Sequence, residues 1–288
     1  LPAIICATLP ENMDLETRQL LIAKGVAPMQ GIHETLNAVE DSANWREVRS
    51  HILSDKHRYL LPAIPSSERR VLSESESKRW LKRTNIKVPK GRSVSSHKLG
   101  EAAIEVGYPV VLKMISSRLA HKTEAGAVVL NLEDEDSLNR AVKKMKIDVT
   151  DYDPKAVSEL FLVEAMSPNP LAELIINMRQ DPQFGAALVL GSGGVLVELL
   201  ADSVTLLLPT RPVDIIRAIK SLRVGRLLEG FRGRPAADIS KLAEEIYSLS
   251  ITYQENKKTI AEIEINPLFV YQTEVSAIDA LIQVPVAK

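Results

Sequence analysis

Two rhythms of apolar residues run along the chain. Near its end, Glu262-Ile263-Glu264-Ile265-Asn266-Pro267-Leu268 alternates polar and apolar positions, and Ile278-Asp279-Ala280 repeats the pattern. A period of two predicts strands with polar groups on one face. Shorter apolar runs at 3–8, 26–30, 108–113, 127–132, 160–164, 172–178, 186–190 and 195–199 also read as strands. Helical spacing marks 14–24, 34–52, 99–106, 137–146, 213–222 and 239–253. In the first of these, Leu15, Leu20, Leu21 and Ala23 are available for a core face. A further helix opens at Ser73, where Glu76 three positions on completes a capping-box pattern, and runs to about Thr84.

The order of these elements divides the chain. Residues 1–52 have the strand–helix–strand–helix rhythm of a doubly wound sheet but are too few for a whole domain. Residues 53–66, with Pro62, Pro65 and Ser66, read as a linker. Residues 67–288 mix strands and helices as a second domain. An apolar run begins almost at Leu1, which predicts the carboxyl-terminal piece of a longer polypeptide or a processed subunit.

Composition narrows the function classes. Hydrophobic residues make up 45% of the 288 and charged residues 25%, ordinary for a soluble globular protein. A net charge of −1 gives no reason to expect a nucleic-acid partner. No run has the length of a membrane span. The single cysteine, Cys6, excludes an internal disulfide framework and a cysteine-based zinc site, and it fits a reducing, cytoplasmic setting.

Several residues are candidates for chemistry. Asn266 and Asp279 are hard oxygen donors on strands that can lie side by side, a pair suited to Mg²⁺; two surface strands with ordinary polar faces explain them as well. Lys113 ends an apolar strand, either reaching a phosphate as a point charge or simply solvated. The amides of Gly191-Ser192-Gly193-Gly194 can approach a phosphate, or form a plain turn. His121, in His121-Lys122-Thr123-Glu124, is a nucleophile, a base or a surface residue. Val163 and Glu164 end a strand whose backbone can bond a nucleotide base, and Glu173 can reach a ribose; both acids can equally be exposed and idle. Arg232 and Arg234, flanked by glycines, either hold an anion or join two helices with an ion pair to Asp238.

Taken in order, these segments resemble the NDP-forming acyl-CoA synthetases (ADP-forming acetate–CoA ligases), relatives of succinyl-CoA synthetase. The resemblance rests on Gly107-Tyr108-Pro109-Val110-Val111-Leu112-Lys113 with His121-Lys122-Thr123-Glu124, and on Asp181-Pro182-Gln183-Phe184-Gly185 through Val195. The Arg232-Gly233-Arg234-Pro235 loop and Glu264-Ile265-Asn266-Pro267-Leu268 complete it. Cys6-Ala7-Thr8-Leu9-Pro10-Glu11-Asn12 is similar to the tail of the flavodoxin-like CoA-ligase region that precedes ATP-grasp in fused members. The resemblance implies an α/β chain: an α+β ATP-grasp domain over 67–288, preceded by the end of a flavodoxin-like doubly wound domain over 1–52.

The resemblance also implies roles. Lys113, Lys122 and Thr123 belong to the nucleotide-phosphate site, with Gly193 and Gly194; His121 relays phosphate, steadied by Glu264. Val163 and Glu164 sit at the adenine hinge, with Glu173 nearby. Asn266 and Asp279 hold Mg²⁺, and Arg232 and Arg234 are anion contacts. The implied activity is phosphoryl transfer between Mg-ATP or Mg-ADP and histidine, leading through an acyl phosphate to acyl-CoA. The implied ligands are ATP/ADP, Mg²⁺, CoA and a carboxylic acid. The implied partners are the CoA-binding and CoA-ligase domains, on the same or a separate chain, in a homo- or hetero-oligomer. The alternatives are an ATP-grasp ligase joining a carboxylate to an amine, and a non-catalytic subunit of the same fold. Two departures stand out: Gly126-Ala127 replaces a common Gly-Gly, and Leu206 stands where many members carry arginine.

Overall fold

A computed structural model describes residues 3–54, 68–116, 118–119, 122–193 and 202–286. It divides into two compact units, Leu1–Tyr59 and Leu60–Lys288. The expected linker over 53–66 lies, from residue 55, outside the described residues, as does the run expected as a strand at 195–199.

The first unit pairs β1 (Ala3–Ala7) with β2 (Val26–Gln30) in parallel, the arrangement a strand–helix–strand rhythm requires. The connection is α1 (Leu15–Ala23), which starts where the Asp14 carboxylate accepts the Thr17 amide at 2.7 Å. Gly25, at φ +71°, turns the chain back into β2. Then α2 (Ile32–Ser54) follows. The expected core face of α1 is not buried; no residue of α1 is. Two strands and two helices offer too little apolar surface to cover one another.

The second unit holds two antiparallel sheets. The larger runs in the order β10 (Ser203–Leu207), β9 (Gly185–Ser192), β8 (Ala172–Asp181), β11 (Glu262–Val270), β13 (Ala280–Pro285), β3 (Arg69–Val71), with β12 (Val275–Ala277) paired to β11. Its apolar face carries Leu174, Ile176, Met178, Ile263, Ile265 and Ile282. That face packs with α6 (Pro212–Ser221), α7 (Gly225–Leu228), α8 (Ile239–Glu255) and Leu81 of α3 (Glu74–Leu81) in one continuous core. The smaller sheet runs β4 (Gly91–Ser95), β7 (Leu160–Ala165), β5 (Val110–Met114), β6 (Val128–Leu132). Its core lies on the side of α4 (Leu99–Val106) and α5 (Glu135–Tyr152), where Val110, Leu112, Met114, Phe161 and Val163 meet Leu138 and Met145.

Alternation then decides which side chains face the other way. On β5 the positions between the core residues are Val111 and Lys113; on β7 they are Leu162 and Glu164. On β8 and β11 the polar positions are Glu173, Asn177, Glu262 and Glu264, with Asn177 paired to Glu264. Thus each sheet turns a polar face away from its own apolar core.

Helix α3 connects the two sheets. The capping box expected at its start is present: the Ser73 side chain accepts the Glu76 amide, and Glu76 accepts the Ser73 amide at 2.8 Å. Ser77 accepts the Ile282 amide of β13 at 3.1 Å, and Leu81 enters the larger core. The remaining stripe, Glu74 and Lys78 one turn apart, reaches β5 and β7 of the smaller sheet.

Candidate nucleotide and metal site

Six charged side chains meet between the sheets. Lys78 donates to both oxygens of Glu164, at 2.6 and 2.7 Å, and to Glu74 Oε1 at 2.8 Å. Lys113 is bonded to the same Glu74 oxygen, lies 3.0 Å from Glu164 Oε2, and donates to the Ile278 carbonyl at 3.0 Å. Lys122 is bonded to Glu74 Oε2 and donates to both oxygens of Asp279, at 3.3 and 3.1 Å. Lys113 is 5% exposed, which excludes a solvated strand end. Glu164 is 3% exposed and fully engaged by Lys78, so it is not an idle surface acid.

Charge interactions in this cluster are strong because water is largely excluded. Burial alone would raise the Glu74 carboxyl, but the ammonium groups of Lys113, Lys78 and Lys122 outweigh it and hold the acid well below its usual range. Burial lowers Lys113, yet Glu164, Glu74 and Asp279 more than reverse that, so Lys113 is firmly charged. Lys122 is likewise raised, with Asp279 and Glu74 overcoming its burial. Lys78 is lowered, by burial and by Lys113 beside it. Asp279 is raised, by burial and by Glu74, despite Lys122.

The expected strand at 278–280 is instead a bend between β12 and β13, with only Ala280 in a strand. Residues 278–279 interrupt the run of β12 and β13 along one edge of β11, opposite Asn266 and Pro267. Here the Asn266 amide donates to the Asp279 carbonyl at 3.1 Å, and the Ile278 amide to the Pro267 carbonyl at 3.0 Å. The β8–β11 register shifts between Ile265 and Leu268, where Asn266 stands out of the ladder with an exposed side chain. Asn266 and Asp279 therefore lie opposite each other on neighbouring stretches of backbone.

These donors fit Mg²⁺. No cluster of three or more His, Cys, Asp or Glu suited to a metal occurs among the described residues. Two protein oxygens at the edge of a phosphate-sized site suit an ion that keeps water and phosphate in its other positions. The raised Asp279 carboxyl marks a place where added positive charge is favourable.

Other candidates fall outside this cluster. Glu264 lies one polar position before Asn266; burial and then Glu262 raise its carboxyl, and Asp279 adds to this. Glu173 is half-buried on the same sheet face, raised by burial. Thr123 is exposed in the turn closed by the Gly126 amide on its carbonyl. His121 and Gly194 lie outside the described residues.

Gly193 is a correction. Its amide donates to the Glu173 carbonyl at 2.7 Å, so it is not offered to a phosphate. A Cβ there would stand 2.8 Å from the backbone of β8, which is why the position is glycine. Val163 turns its side chain into the core, and its backbone is paired with β4 on one side and β5 on the other. Arg232 and Arg234 lie in the loop before α8, a loop that ends where the Asp238 amide donates to the Gln272 carbonyl beyond the end of β11. The ion pair to Asp238, one of the two readings of this loop, is not found among the described residues; Asp238 caps α8 by accepting the Lys241 amide, while Arg232 sits 5.3 Å above the Phe231 ring. Leu206 packs against the larger core, which gives an apolar residue there a purpose of its own.

Comparison with known proteins decides the family. A model described as an ATP-grasp domain matches residues 63–284. The chain belongs to the ATP-grasp family of ADP-forming acid–CoA ligases. Over 219 residues it is 34% identical to the acetate–CoA ligase [ADP-forming] I subunit beta of Pyrococcus furiosus, covering 74% of this chain and 92% of that subunit. The acetyl-coenzyme A synthetase 1 of Ca. Korarchaeum cryptofilum, solved with coenzyme A, Ca-AMPCP and HgCl⁺, superposes with a TM-score of 0.70 at 31% identity. It covers 82% of this chain and 99% of that one. A second structure of that enzyme, with coenzyme A and Mg-AMPPCP, has its phosphohistidine segment pointing towards the nucleotide-binding site. It superposes with a TM-score of 0.63 at 31% identity, covering 74% and 92% of the two chains. Among the described residues, no helix of the present chain is long and apolar enough to cross a membrane.

Two members of the cluster, Glu74 and Lys78, were not among the sequence candidates. Helical spacing placed them on one stripe, but nothing local separates them from an exposed i,i+4 ion pair. Gly91 is a third omission. It pairs with Glu164 across β4–β7, and a Cβ would stand 2.7 Å from Glu164 Cγ. A glycine inside a strand is the signal that could have found it.

Proposed function

We propose that this chain is the nucleotide-binding, phosphoryl-transferring part of an ADP-forming acid–CoA ligase. The observation that carries the reading is the convergence of Lys113, Lys122 and Asp279, with Asn266 alongside, on one pocket of charge between two sheets. Phosphoryl transfer calls for positioning and charge neutralisation more than for covalent machinery. On this reading Lys113 and Lys122 neutralise phosphate oxygens, and the polar backbone at the end of β7, near Val163 and Glu164, borders the base, with Glu173 towards the ribose. Asn266 and Asp279 would hold Mg²⁺, which when bound offsets the charge of the phosphates.

The reaction is balanced as follows. A ring nitrogen of histidine, assigned here to His121, attacks the γ-phosphorus of ATP, and the bond to the bridging oxygen breaks to release ADP. On this reading Glu264 is the acid that steadies the phosphoimidazole. The phosphoryl group then passes to the carboxylate of an organic acid, giving an acyl phosphate. The thiolate of CoA attacks the acyl carbon and phosphate leaves. The last two steps need groups for CoA and acid that belong to a CoA-binding and ligase partner domain. Support for such a partner comes from the beta-subunit relative and from the bare apolar residues Leu15, Leu20 and Leu36 of the first unit.

The test is labelling with γ-phosphate-labelled ATP and Mg²⁺. Wild type takes up acid-labile label, and His121→Ala takes up none. Label that persists in His121→Ala overturns the relay assignment, and absence of Mg-nucleotide binding by calorimetry overturns the site itself.

A further inference from the structure

Glu74 occupies a peculiar place in the cluster. Its two oxygens contact three ammonium groups: Oε1 meets Lys78 and Lys113, and Oε2 meets Lys122. Among the described residues no other acid touches both lysines that the nucleotide reading gives to phosphate. Lys113 is held by β5, but Lys122 comes from a loop, and its side chain remains 21% accessible. Its other acidic contact among those residues is Asp279, 37% accessible and the acid that a cation would engage.

We propose that Glu74 is a positioning residue that holds Lys113 and Lys122 at one point for the phosphates of a bound nucleotide. The inference rests on the nucleotide reading above and extends it to a residue outside the phosphate contacts.

The anchoring of Glu74 suits the task. It stands in the first turn of α3, whose start is fixed by the Ser73–Glu76 box and whose flank is fixed by Ser77 on β13 and Leu81 in the core. Lys78, one turn later, is committed to Glu164 and so clamps the same helix to β7. Remove the Glu74 charge and three ammonium groups face only Glu164 and Asp279. Lys122, on the least constrained backbone, is then the one that repulsion displaces. A carboxylate directly against a phosphate would repel it; surrounded by three ammonium groups, Glu74 acts through them.

The test compares two ligands by calorimetry on the full chain: Mg-ADP, which carries phosphates, and adenosine, which does not. In Glu74→Gln, which keeps the shape and loses the charge, Mg-ADP affinity falls by roughly tenfold or more, the scale of a charge-assisted hydrogen bond. Adenosine affinity stays within about twofold, because the base site is untouched. Glu74→Asp, which restores the charge, recovers part of the Mg-ADP loss. Unchanged Mg-ADP affinity overturns the proposal, and so does an equal loss for both ligands, the mark of a purely structural role. Should Glu74→Gln fail to fold, Glu74→Asp alone decides: its shorter arm cannot reach all three ammonium groups, so Mg-ADP affinity falls while adenosine affinity does not, and equal or absent losses overturn the proposal. A wild type that binds adenosine but not Mg-ADP removes the nucleotide reading and this inference together.

Discussion

Lys78 offers the sharpest test of how the two sheets of the second unit are joined. Its ammonium is 4% exposed and satisfied by Glu164 and Glu74. At 2.6 Å from Glu164 Oε1, and with an effective dielectric of about 20, the gross attraction is about 6 kcal/mol. Much of that is offset by dehydrating both ions. What remains on removing one partner is a buried carboxylate left with Lys113 alone, which it shares with Glu74, a loss of about 3 kcal/mol. Lys78→Met therefore removes a large part of a stability on the order of 5–15 kcal/mol. In urea unfolding followed by far-ultraviolet circular dichroism, with a slope near 3 kcal/mol/M, the midpoint falls by about 1 M or more. The control is Lys78→Met with Glu164→Leu, which deletes the pair and leaves Lys113, Lys122, Glu74 and Asp279 balanced. Exchanging a whole buried pair for apolar groups is close to neutral, so most of the loss returns. A single variant within about 0.3 M of wild type would refute the claim that Lys78 is needed to neutralise Glu164.

Two further outcomes follow from other parts of the fold. Tyr253 is fully buried, donating to the Ala261 carbonyl at 3.1 Å and accepting from Gln180 at 3.2 Å, in surroundings that push its hydroxyl up to about 12. Tyr253→Phe leaves both partners orphaned and costs about 1–3 kcal/mol in urea unfolding; an unchanged midpoint contradicts this. Glu245 is held above the ordinary carboxylate value by burial, which Lys241 and Lys87 only partly relieve, and its Oε2 has no hydrogen-bond partner among the described residues. A raised acid is penalised only when ionised. Glu245→Gln therefore stabilises at about pH 8, and the gain fades as pH falls below the folded value towards about pH 4; equal gains at both pH values in thermal melts rule this out.

Much of the frame was legible because local signals and tertiary structure agree. The Ser73–Glu76 box, the Gly107 stop and the alternation in 262–268 each predict what the chain does there. Among the strands left unread, which include β10 and β12, β3 and β4 are short and polar, Arg-Arg-Val and Gly-Arg-Ser-Val-Ser. They are strands because a neighbour supplies the ladder, not because their own residues demand it. The helical core face of α1 failed for the opposite reason: the residues are apolar, but nothing in the first unit is large enough to cover them. Within the site, alternation in 262–268 correctly turned Glu264 away from the core, and the backbone adjacency of Asn266 and Asp279 followed from strand pairing; the facing of Lys113 and Glu164 was not read from the sequence. Glycine density was the misleading cue. Gly193 is small because β8 passes against it, and close backbone approach to a strand leaves the same mark as close approach to a phosphate.

Glu74 and Lys78 escaped because burial, not spacing, gives an i,i+4 pair its meaning, and the balance of the cluster explains why they are there. A site that receives polyphosphate needs concentrated positive charge, yet three buried ammonium groups without counter-charges would be prohibitively costly while the site is empty. Three acids against three lysines remove that cost. The acids are not equivalent. Glu164 is locked by Lys78, and Glu74 is shared among three lysines, so both keep their partners when a ligand arrives. Asp279 is the most accessible of the three and holds only Lys122. On the nucleotide reading, Asp279 would hold the cation and leave Lys122, still bonded to Glu74, to a phosphate oxygen. The site then gains its net positive charge only together with the anion that needs it.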